Sequence, residues 1–234
     1  MNITVIYSSG RKQNSCSSGA AKMLAGRLLN GGELFEFHLP RDMPHICMGC
    51  GVCLGGKPEK CGGYPYLKPI LQAFARSDLL VFCSPVYVYH TPGQMKTLLD
   101  HFGYRWMVHR FDAEMMKKQA VVIATAGGGG LKSAVKDIRD SLDFWGVART
   151  HVITQSVWEY NWSTLPDSFR RKLTRKVEKT AAAVENCAKR LMPSCKIRLM
   201  YRAFCFLHKN RKMNELDDRY WMEQGYTACV PWKK

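Results

Sequence analysis

Short apolar runs alternate with amphipathic stretches along most of this chain. Residues 3–7 form an apolar run with β-branched side chains, and small polar residues follow it. Apolar side chains then recur at nearly helical spacing over residues 19–29, which predicts a strand, a polar turn and a helix. Further strand-like runs lie at residues 33–39, 79–83, 120–124 and 151–154. Helical stretches lie at residues 67–76, 93–102 and 131–144, and a last helix carries Phe169, Leu173, Val177, Val184 and Leu191 on one stripe.

This alternation predicts an α/β fold with a doubly wound parallel sheet of five strands and helices on both faces. The runs at residues 79–83 and 120–124 are apolar throughout, as strands buried on both faces should be. Residues 33–39 alternate between apolar and polar, so this strand is expected to be exposed on one side.

The same pattern suggests how the chain is divided. Residues 1–192 are predicted to form one domain, interrupted by a cysteine-rich excursion at residues 40–66 that contains four prolines. Residues 193–234 are a basic and aromatic extension. Its large aromatic side chains are expected to pack on a partner subunit or on the core, and an anionic membrane surface is the alternative. These side chains are Tyr220, Trp221, Tyr226 and Trp232.

Charge and composition narrow the class of partner. The formal net charge is +16, which favours anionic ligands or acidic partners. No nucleic-acid-binding motif accompanies it, so nucleic acid is not an expected partner. The sequence contains no run of about 18 apolar residues, so no transmembrane segment is expected. The chain begins with a strand rather than a signal peptide, so a cytoplasmic location is expected.

Polar or glycine-rich loops follow three of the predicted strands, where parallel sheets bind ligands. The first loop leads into a helix N-terminus, and its spacing is neither G-x-G-x-x-G nor a P-loop, which favours a terminal phosphate monoester. An ordinary capped turn is the alternative. The hydrogen-bond donors of this loop are Ser9, Arg11, Asn14, Ser15 and Ser17.

The second and third loops offer a surface for a flat ring. Residues 84–96 contain two prolines with Tyr87 and Tyr89, which could stack on a planar heterocycle or could be core or interface aromatics. Residues 125–130 contain four consecutive glycines, so backbone amides there can approach a ligand closely.

Together these loops resemble the flavodoxin-like NADPH-dependent FMN reductase superfamily, including its iron–sulfur flavoprotein branch. The likeness covers roughly residues 1–190. It is carried by Ser9-x-Arg11 with Asn14-Ser15, by Ser84-Pro85-Val86-Tyr87, by Pro92-Gly93-Gln94-Met95-Lys96 with Asp100, and by Thr125-Ala126-Gly127-Gly128.

The resemblance implies a flavodoxin-like sheet of strand order 2-1-3-4-5 and an FMN cofactor reduced by NAD(P)H. The FMN phosphate would be held by Ser9, Arg11, Asn14, Ser15 and Ser17. The isoalloxazine ring would be lined by Pro85, Val86, Tyr87 and Val88, and its other edge by Thr125, Ala126, Gly127 and Gly128. The acceptor would be a quinone-like, nitroaromatic or flavin molecule, and the protein would be a homodimer or homotetramer.

The flavin would carry the redox chemistry, so no catalytic side chain is expected. The sequence has no Ser-His-Asp spacing, no H-E-x-x-H motif and no paired catalytic carboxylates. His90, His101 and His109 are expected to be ordinary surface or interface histidines. Outside residues 47–61, the other cysteines are expected to be ordinary buried or surface residues.

The cysteine-rich excursion carries the most specific local pattern. Cys47, Cys50, Cys53 and Cys61 have a spacing that can wrap a [4Fe–4S] cube, and the iron–sulfur flavoproteins carry a compact motif of this kind at this place. Free thiols and a zinc site are the alternatives. The residues after Cys61, Gly62-Gly63-Tyr64-Pro65, depart from the family, where an acidic pair is common.

The sequence leaves two other functions open. With a cluster, the protein would pass electrons between a ferredoxin-like partner, the cluster and FMN. A third reading is a non-enzymatic basic binding module on a vestigial flavin fold.

Overall fold

A computed structural model of the chain describes residues 1–11, 14–159 and 161–233. Its centre is a parallel five-stranded sheet of order β2-β1-β3-β4-β5, which confirms the predicted doubly wound, flavodoxin-like arrangement. The strands are β1 (Ile3–Tyr7), β2 (Leu34–His38), β3 (Leu79–Pro85), β4 (Gln119–Ala126) and β5 (Arg149–Ser156). Positions 12 and 13 of the first predicted loop lie outside the described residues.

Helices cover both faces of the sheet because successive strand residues point to opposite sides. In β4, Val121 and Ile123 pack towards one face, whereas Ala120, Val122 and Ala124 pack towards the other. The helices are α1 (Cys16–Leu28), α2 (Tyr64–Arg76), α3 (Gly93–His101), α4 (Leu131–Phe144), α5 (Asp167–Ala188), α6 (Cys195–Lys209) and α7 (Glu215–Glu223). One face packs against α1 and α5, and the other against α2, α3 and α4.

Helix ends differ from the predicted ones for local reasons. Helix α1 begins at Cys16, earlier than predicted, because the hydroxyl of Ser15 caps it by accepting a hydrogen bond from the Ser18 N–H at 3.1 Å. Helix α2 begins at Tyr64, with Pro65 in the first turn, where the missing N–H of proline costs nothing. The prediction that Leu191 belongs to the last helix of the sheet layer is wrong: α5 ends at Ala188, shortly before Pro193.

The C-terminal residues pack on the same chain, against the segment that joins α3 to β4. Trp221 and Tyr201 are buried with Met107, Phe111 and Met116 in a separate aromatic cluster. Tyr220, Tyr226 and Trp232 lie half-buried around this cluster. No helix among the described residues is long and apolar enough to cross a membrane.

Candidate functional site

A cleft of about 470 Å³ opens where strands β1, β3 and β4 end. It brings together residues from all three predicted loops: Ser9, Arg11, Ser15, Pro85, Val86, Tyr87, Val88, Thr125, Ala126 and Gly127. The loops that follow the first, third and fourth strands therefore line one contiguous cleft. Asn14, Ser17 and Gly128 are not among its lining residues.

The first loop presents the N-terminus of α1 to the cleft. Ser9 and Ser15 are buried there, and the Arg11 N–H donates to the Ser9 hydroxyl at 3.3 Å. No carboxylate occupies the first turn of α1, so its partial positive charge is not neutralised within the helix. This end of the cleft suits an anion.

Asn14 and Ser17 form hydrogen bonds within that loop and to its neighbours. The Asn14 N–H donates to the Arg11 carbonyl at 3.2 Å, and the Asn14 carbonyl accepts from the Trp162 N–H at 2.7 Å. Ser17 is fully buried, with its hydroxyl 3.3 Å from that of Ser15. Their direct role at a ligand stays a prediction.

The second loop reverses direction in a tight hairpin turn. Tyr87 and His90 exchange two backbone hydrogen bonds of 3.0 and 3.1 Å. Between them, Val88 and Tyr89 have φ angles of 47° and 66°, a left-handed pair that such turns usually build from asparagine and glycine. Tyr87 and Tyr89 are 44% and 68% exposed, so the alternative that they belong to the core is wrong.

Neighbouring elements brace this strained turn. The Asp137 carboxylate on α4 accepts from the Thr91 N–H and pairs with the His90 ring, each at 3.1 Å. Ser84 and Thr91 hydrogen-bond through their hydroxyls at 3.0 Å. From the first turn of α3, the Gln94 side chain donates to the Ser8 carbonyl at 2.6 Å and so ties the second loop to the first.

The third loop passes so close to the second that only glycine fits at its end. Gly130 has a φ of 86°, and a Cβ there would lie 2.6 Å from the Cα of Tyr89 and 2.7 Å from Val86. By contrast, nothing lies within 4 Å of a Cβ built on Gly128. The glycine at position 130 therefore permits the contact between the two loops.

Two lining residues were not predicted. Cys16 is almost fully buried, its thiol donates to the Glu159 carbonyl at 3.3 Å, and burial raises its pKa, so it is a protonated wall residue. Val157 directly follows β5, and its N–H donates to the Ala126 carbonyl at 2.7 Å. Val157 could have been predicted as a lining residue because it follows the fifth strand directly. No sequence signal distinguished Cys16.

The cleft has an apolar part and a polar end. Pro85, Val86 and Val88 of the second loop are apolar, whereas Ser9, Arg11 and Ser15 lie beside the helix N-terminus. Val157 packs with Cys16. Its volume lies within the usual range for cofactor sites. These features fit a flat ring system joined to a phosphate, as in FMN.

The four clustered cysteines surround a second pocket, of about 300 Å³, that also touches α2 and α3. Cys50 is exposed, whereas Cys47, Cys53 and Cys61 are half-buried. Burial raises the pKa of the Cys53 thiol, with Cys61 and Cys47 adding to the effect. Within the described ranges, no three His, Cys, Asp or Glu side chains converge as a single metal ion requires.

Two histidines also line this pocket. The His45 Nδ1 and His101 Nε2 atoms are 3.2 Å apart. The prediction that His101 is a surface or interface residue is wrong, because α3 turns it inwards and leaves it 3% exposed. A Cβ on Gly63 would lie 2.3 Å from the His101 ring, and one on Gly62 would lie 2.7 Å from the His45 ring, so the unusual glycine pair makes room for both rings.

Comparison with known proteins identifies a family whose cofactor is of the kind that the cleft fits. A family model described as NADPH-dependent FMN reductase matches residues 1–162. An iron–sulfur flavoprotein of Archaeoglobus fulgidus is 23% identical over 97% of this chain and 100% of the relative. An FMN-dependent NADH:quinone oxidoreductase of Pelagibacter ubique is 25% identical over 66% of this chain and 88% of the relative.

Among solved structures, an FMN-dependent NADH-azoreductase from Bacillus anthracis in complex with FMN superposes with a TM-score of 0.59. It is 15% identical, and the match covers 80% of this chain and 100% of that one. This likeness supports the flavodoxin-like fold.

Proposed function

The chain belongs to the NADPH-dependent FMN reductase family, and we propose that it passes electrons from NAD(P)H through FMN to a quinone-like, nitroaromatic or flavin acceptor. Family membership makes it an oxidoreductase, so the reading as a non-enzymatic binding module is not retained. The observation that carries the proposal is the convergence of three separate loops on one cleft with a polar and an apolar end.

In this proposal the polar end holds the FMN phosphate. Ser9 and Ser15 supply hydroxyl donors, Arg11 supplies a charge-assisted donor, and the N-terminus of α1 supplies its dipole. These groups together bind a phosphate more strongly than any one of them alone, because they all face one end of the cleft.

The apolar end would hold the isoalloxazine ring. Pro85, Val86, Tyr87 and Val88 form one wall, and residues 125–127 form another in which the backbone lies close to the ligand space. Bound FMN supplies hydride and electron transfer, while these residues orient the ring and exclude water from one side. Cys16 stays a neutral thiol and takes no proton-transfer role.

The acceptor is proposed to be planar because aromatic side chains stand exposed at this part of the chain. Tyr89 is 68% exposed beside the cleft wall, and Trp158, next to Val157, is 80% exposed. Flat faces of this kind stack on planar molecules such as quinones.

The test is a titration of the purified protein with FMN, followed by oxidation of NADH and NADPH with menadione as the acceptor. We expect one FMN per chain and reductant oxidation that depends on both FMN and menadione. Absence of FMN binding would overturn the assignment of the cleft, whereas FMN binding without menadione reduction would overturn the acceptor class alone.

A second candidate function is that of an iron–sulfur flavoprotein, with a [4Fe–4S] cluster held by Cys47, Cys50, Cys53 and Cys61. It is favoured by the pocket that these four thiols share and by the Archaeoglobus relative, whose similarity extends over 97% of this chain. A cube takes one thiolate at each of four irons, so its ligands surround a volume rather than converge on a point. A ferredoxin-like acidic protein would then exchange electrons with the cluster.

Iron and acid-labile sulfide per chain, measured on protein purified without oxygen, test this second function. About four irons and four sulfides per chain are expected for one cluster. Flavin without iron would leave the four cysteines as free thiols.

We further propose a homodimer or homotetramer in the cytoplasm. Val88 is 93% exposed beside Tyr87 and Tyr89, an apolar edge that a second subunit would cover. No disulfide joins any of the ten cysteines, all of which the structure describes, as expected in a reducing compartment. Sedimentation equilibrium of the FMN-loaded protein tests the subunit number, and a monomer would contradict it.

A further inference from the structure

The cysteine pocket is connected to the C-terminal extension by one buried side chain, Arg110. Arg110 lies between α3 and β4 and is 9% exposed. Its Nη2 atom donates to the Cys53 carbonyl at 2.5 Å and to the Leu54 carbonyl at 3.1 Å. A guanidinium therefore holds two consecutive carbonyls of the loop that carries three of the four thiols.

The other half of the guanidinium is held by α7. Arg110 Nη1 donates to Asp217 Oδ1 at 2.5 Å, and Asp217 is fully buried. The second carboxylate oxygen, Oδ2, accepts from His109 Nδ1 at 2.7 Å and from the Asn214 side chain at 2.5 Å. Both oxygens are therefore occupied, which fixes the carboxylate and the guanidinium in one orientation.

Helix α7 is itself firmly attached to the same region. The Trp221 indole donates to the His109 carbonyl at 2.8 Å, and the Tyr220 hydroxyl donates to the Phe111 carbonyl at 2.9 Å. Leu216 touches the cysteine loop directly, since a Cβ built on Gly56 would lie 2.9 Å from its side chain. The loop is thus held by a helix that lies beyond the region matched by the family model.

We propose that Arg110 and Asp217 are positioning residues for the cysteine pocket, so that the C-terminal extension sets the direction of the thiols. The pair acts through the main chain of Cys53 and Leu54 and touches no thiol. Its functional meaning rests on the proposed second function, whereas its structural effect on the thiols does not. Lysine cannot replace Arg110, because one ammonium cannot reach both carbonyls and the carboxylate in the same planar arrangement.

The chain contains a matched control for this pair. Asp218, the next residue in α7, is also buried and receives a 2.7 Å hydrogen bond from the His208 ring. The Asp218 contact joins α7 to α6 rather than to the cysteine loop. Asp217→Asn and Asp218→Asn are therefore equal changes on one helix. Only the first affects the clamp, that is, the Arg110–Asp217 pair with the Cys53 and Leu54 carbonyls that Arg110 holds.

In the experiment, the full chain is treated with iodoacetamide and then digested, and mass spectrometry of the peptides gives the alkylation rate of each thiol. Cys195, which is exposed on α6, serves as the internal standard. We expect Asp217→Asn and Arg110→Lys to raise the alkylation rates of Cys53 and Cys61, relative to Cys195, by about tenfold, because one charge-assisted hydrogen bond is weakened. Asp218→Asn should leave both ratios within about twofold.

An equal rise in Asp217→Asn and Asp218→Asn would overturn the proposal, since it would indicate general loosening of α7. Unchanged ratios in Asp217→Asn and Arg110→Lys would overturn it as well. Iron and sulfide content of the same variants separates the two proposals. A selective rise in thiol reactivity in a protein that holds no iron would keep the positioning role and reject the iron–sulfur function.

Discussion

The cleft at the strand ends and the cysteine pocket are built in different ways. The walls of the cleft come from loops that directly follow neighbouring strands, and the sheet register brings them together. The cysteine pocket collects its walls from the excursion after β2, from α2 and α3, and is held by Arg110 and a helix near the C-terminus. The first site follows from topology, whereas the second depends on a few long-range contacts.

This difference predicts where each site is vulnerable. The cleft should be sensitive to changes that move the backbone of one loop against another. The pocket should be sensitive to loss of single side chains that carry charge or fill the interior.

Gly130→Ala should damage the cleft most. The new Cβ would lie 2.6 Å from the Tyr89 backbone at a residue whose φ is 86°, so the second loop must move. With about 3 kcal/mol of strain at this position, FMN affinity should fall by about 100-fold or more. Fluorescence titration with FMN measures the loss. Gly128→Ala, which meets nothing within 4 Å, is the control and should bind FMN nearly as the unchanged protein does.

Arg11→Ala tests the polar end of the cleft without moving the backbone. Loss of one charge-assisted hydrogen bond to the phosphate, about 1.5–3 kcal/mol, should weaken FMN binding by about 10- to 100-fold. Affinity for riboflavin, which lacks the phosphate, should change little. Arg175→Ala, an exposed change on α5, is the control for net charge. Equal losses for FMN and riboflavin would contradict the phosphate assignment.

Acidification should weaken the C-terminal side of the molecule before the cleft. His208 is fully buried, stacks on Trp221 at 4.5 Å, and its Nε2 finds no hydrogen-bond partner among the described residues. Burial lowers the pKa of His208 below its ordinary value near 6.5, against the opposing effect of Asp218. The unfolded chain therefore binds the proton first, and stability is lost as the pH falls below about 6.5.

Urea unfolding at pH 7.5 and pH 5.5 measures this effect, and hydrogen exchange locates it. We expect a lower free energy of unfolding at pH 5.5 and faster amide exchange in α6 and α7 than in α1. His208→Gln should reduce the pH dependence. Loss of protection that begins in α1 would contradict the assignment.

Val88→Gly should have the smallest effect and the opposite sign. A left-handed conformation costs a residue such as valine about 1–2 kcal/mol, whereas glycine loses about 0.5–1 kcal/mol through its greater freedom when unfolded. Stability should therefore rise by roughly 0.5–1 kcal/mol, as measured by urea unfolding. Val152→Gly, at a 38% exposed position in β5, is the control and should lower stability. A fall in both variants would show that the turn is not strained.

The sequence predicts the two sites unequally, for physical reasons. Buried strands and capped helices are local patterns, so the strand order and the positions of Ser15, Pro85 and Thr125 at one edge could be predicted. Asn14 and Ser17 do not line the cleft, and composition does not tell which side of a turn a side chain faces, so their role at a ligand stays a prediction.

The roles of Cys16 and Arg110 could not be predicted from the sequence. Nothing around Cys16 distinguishes a cleft wall from an ordinary buried cysteine, and Arg110 lies in a segment without a regular pattern. Its partner is 107 residues away, and no local periodicity encodes such a pairing. The cysteine motif could be read from its spacing, but its support could not.

The clamp on the cysteine loop also imposes an order in time. Arg110 lies 57 residues after Cys53, and Asp217 lies 107 residues after Arg110. At about 5–20 residues per second, the ribosome adds Asp217 roughly 10–30 s after Cys53. During this interval the thiols emerge on a loop that is not yet fastened. Any cofactor delivered to them during synthesis would meet an open loop, which closes when the last helix folds.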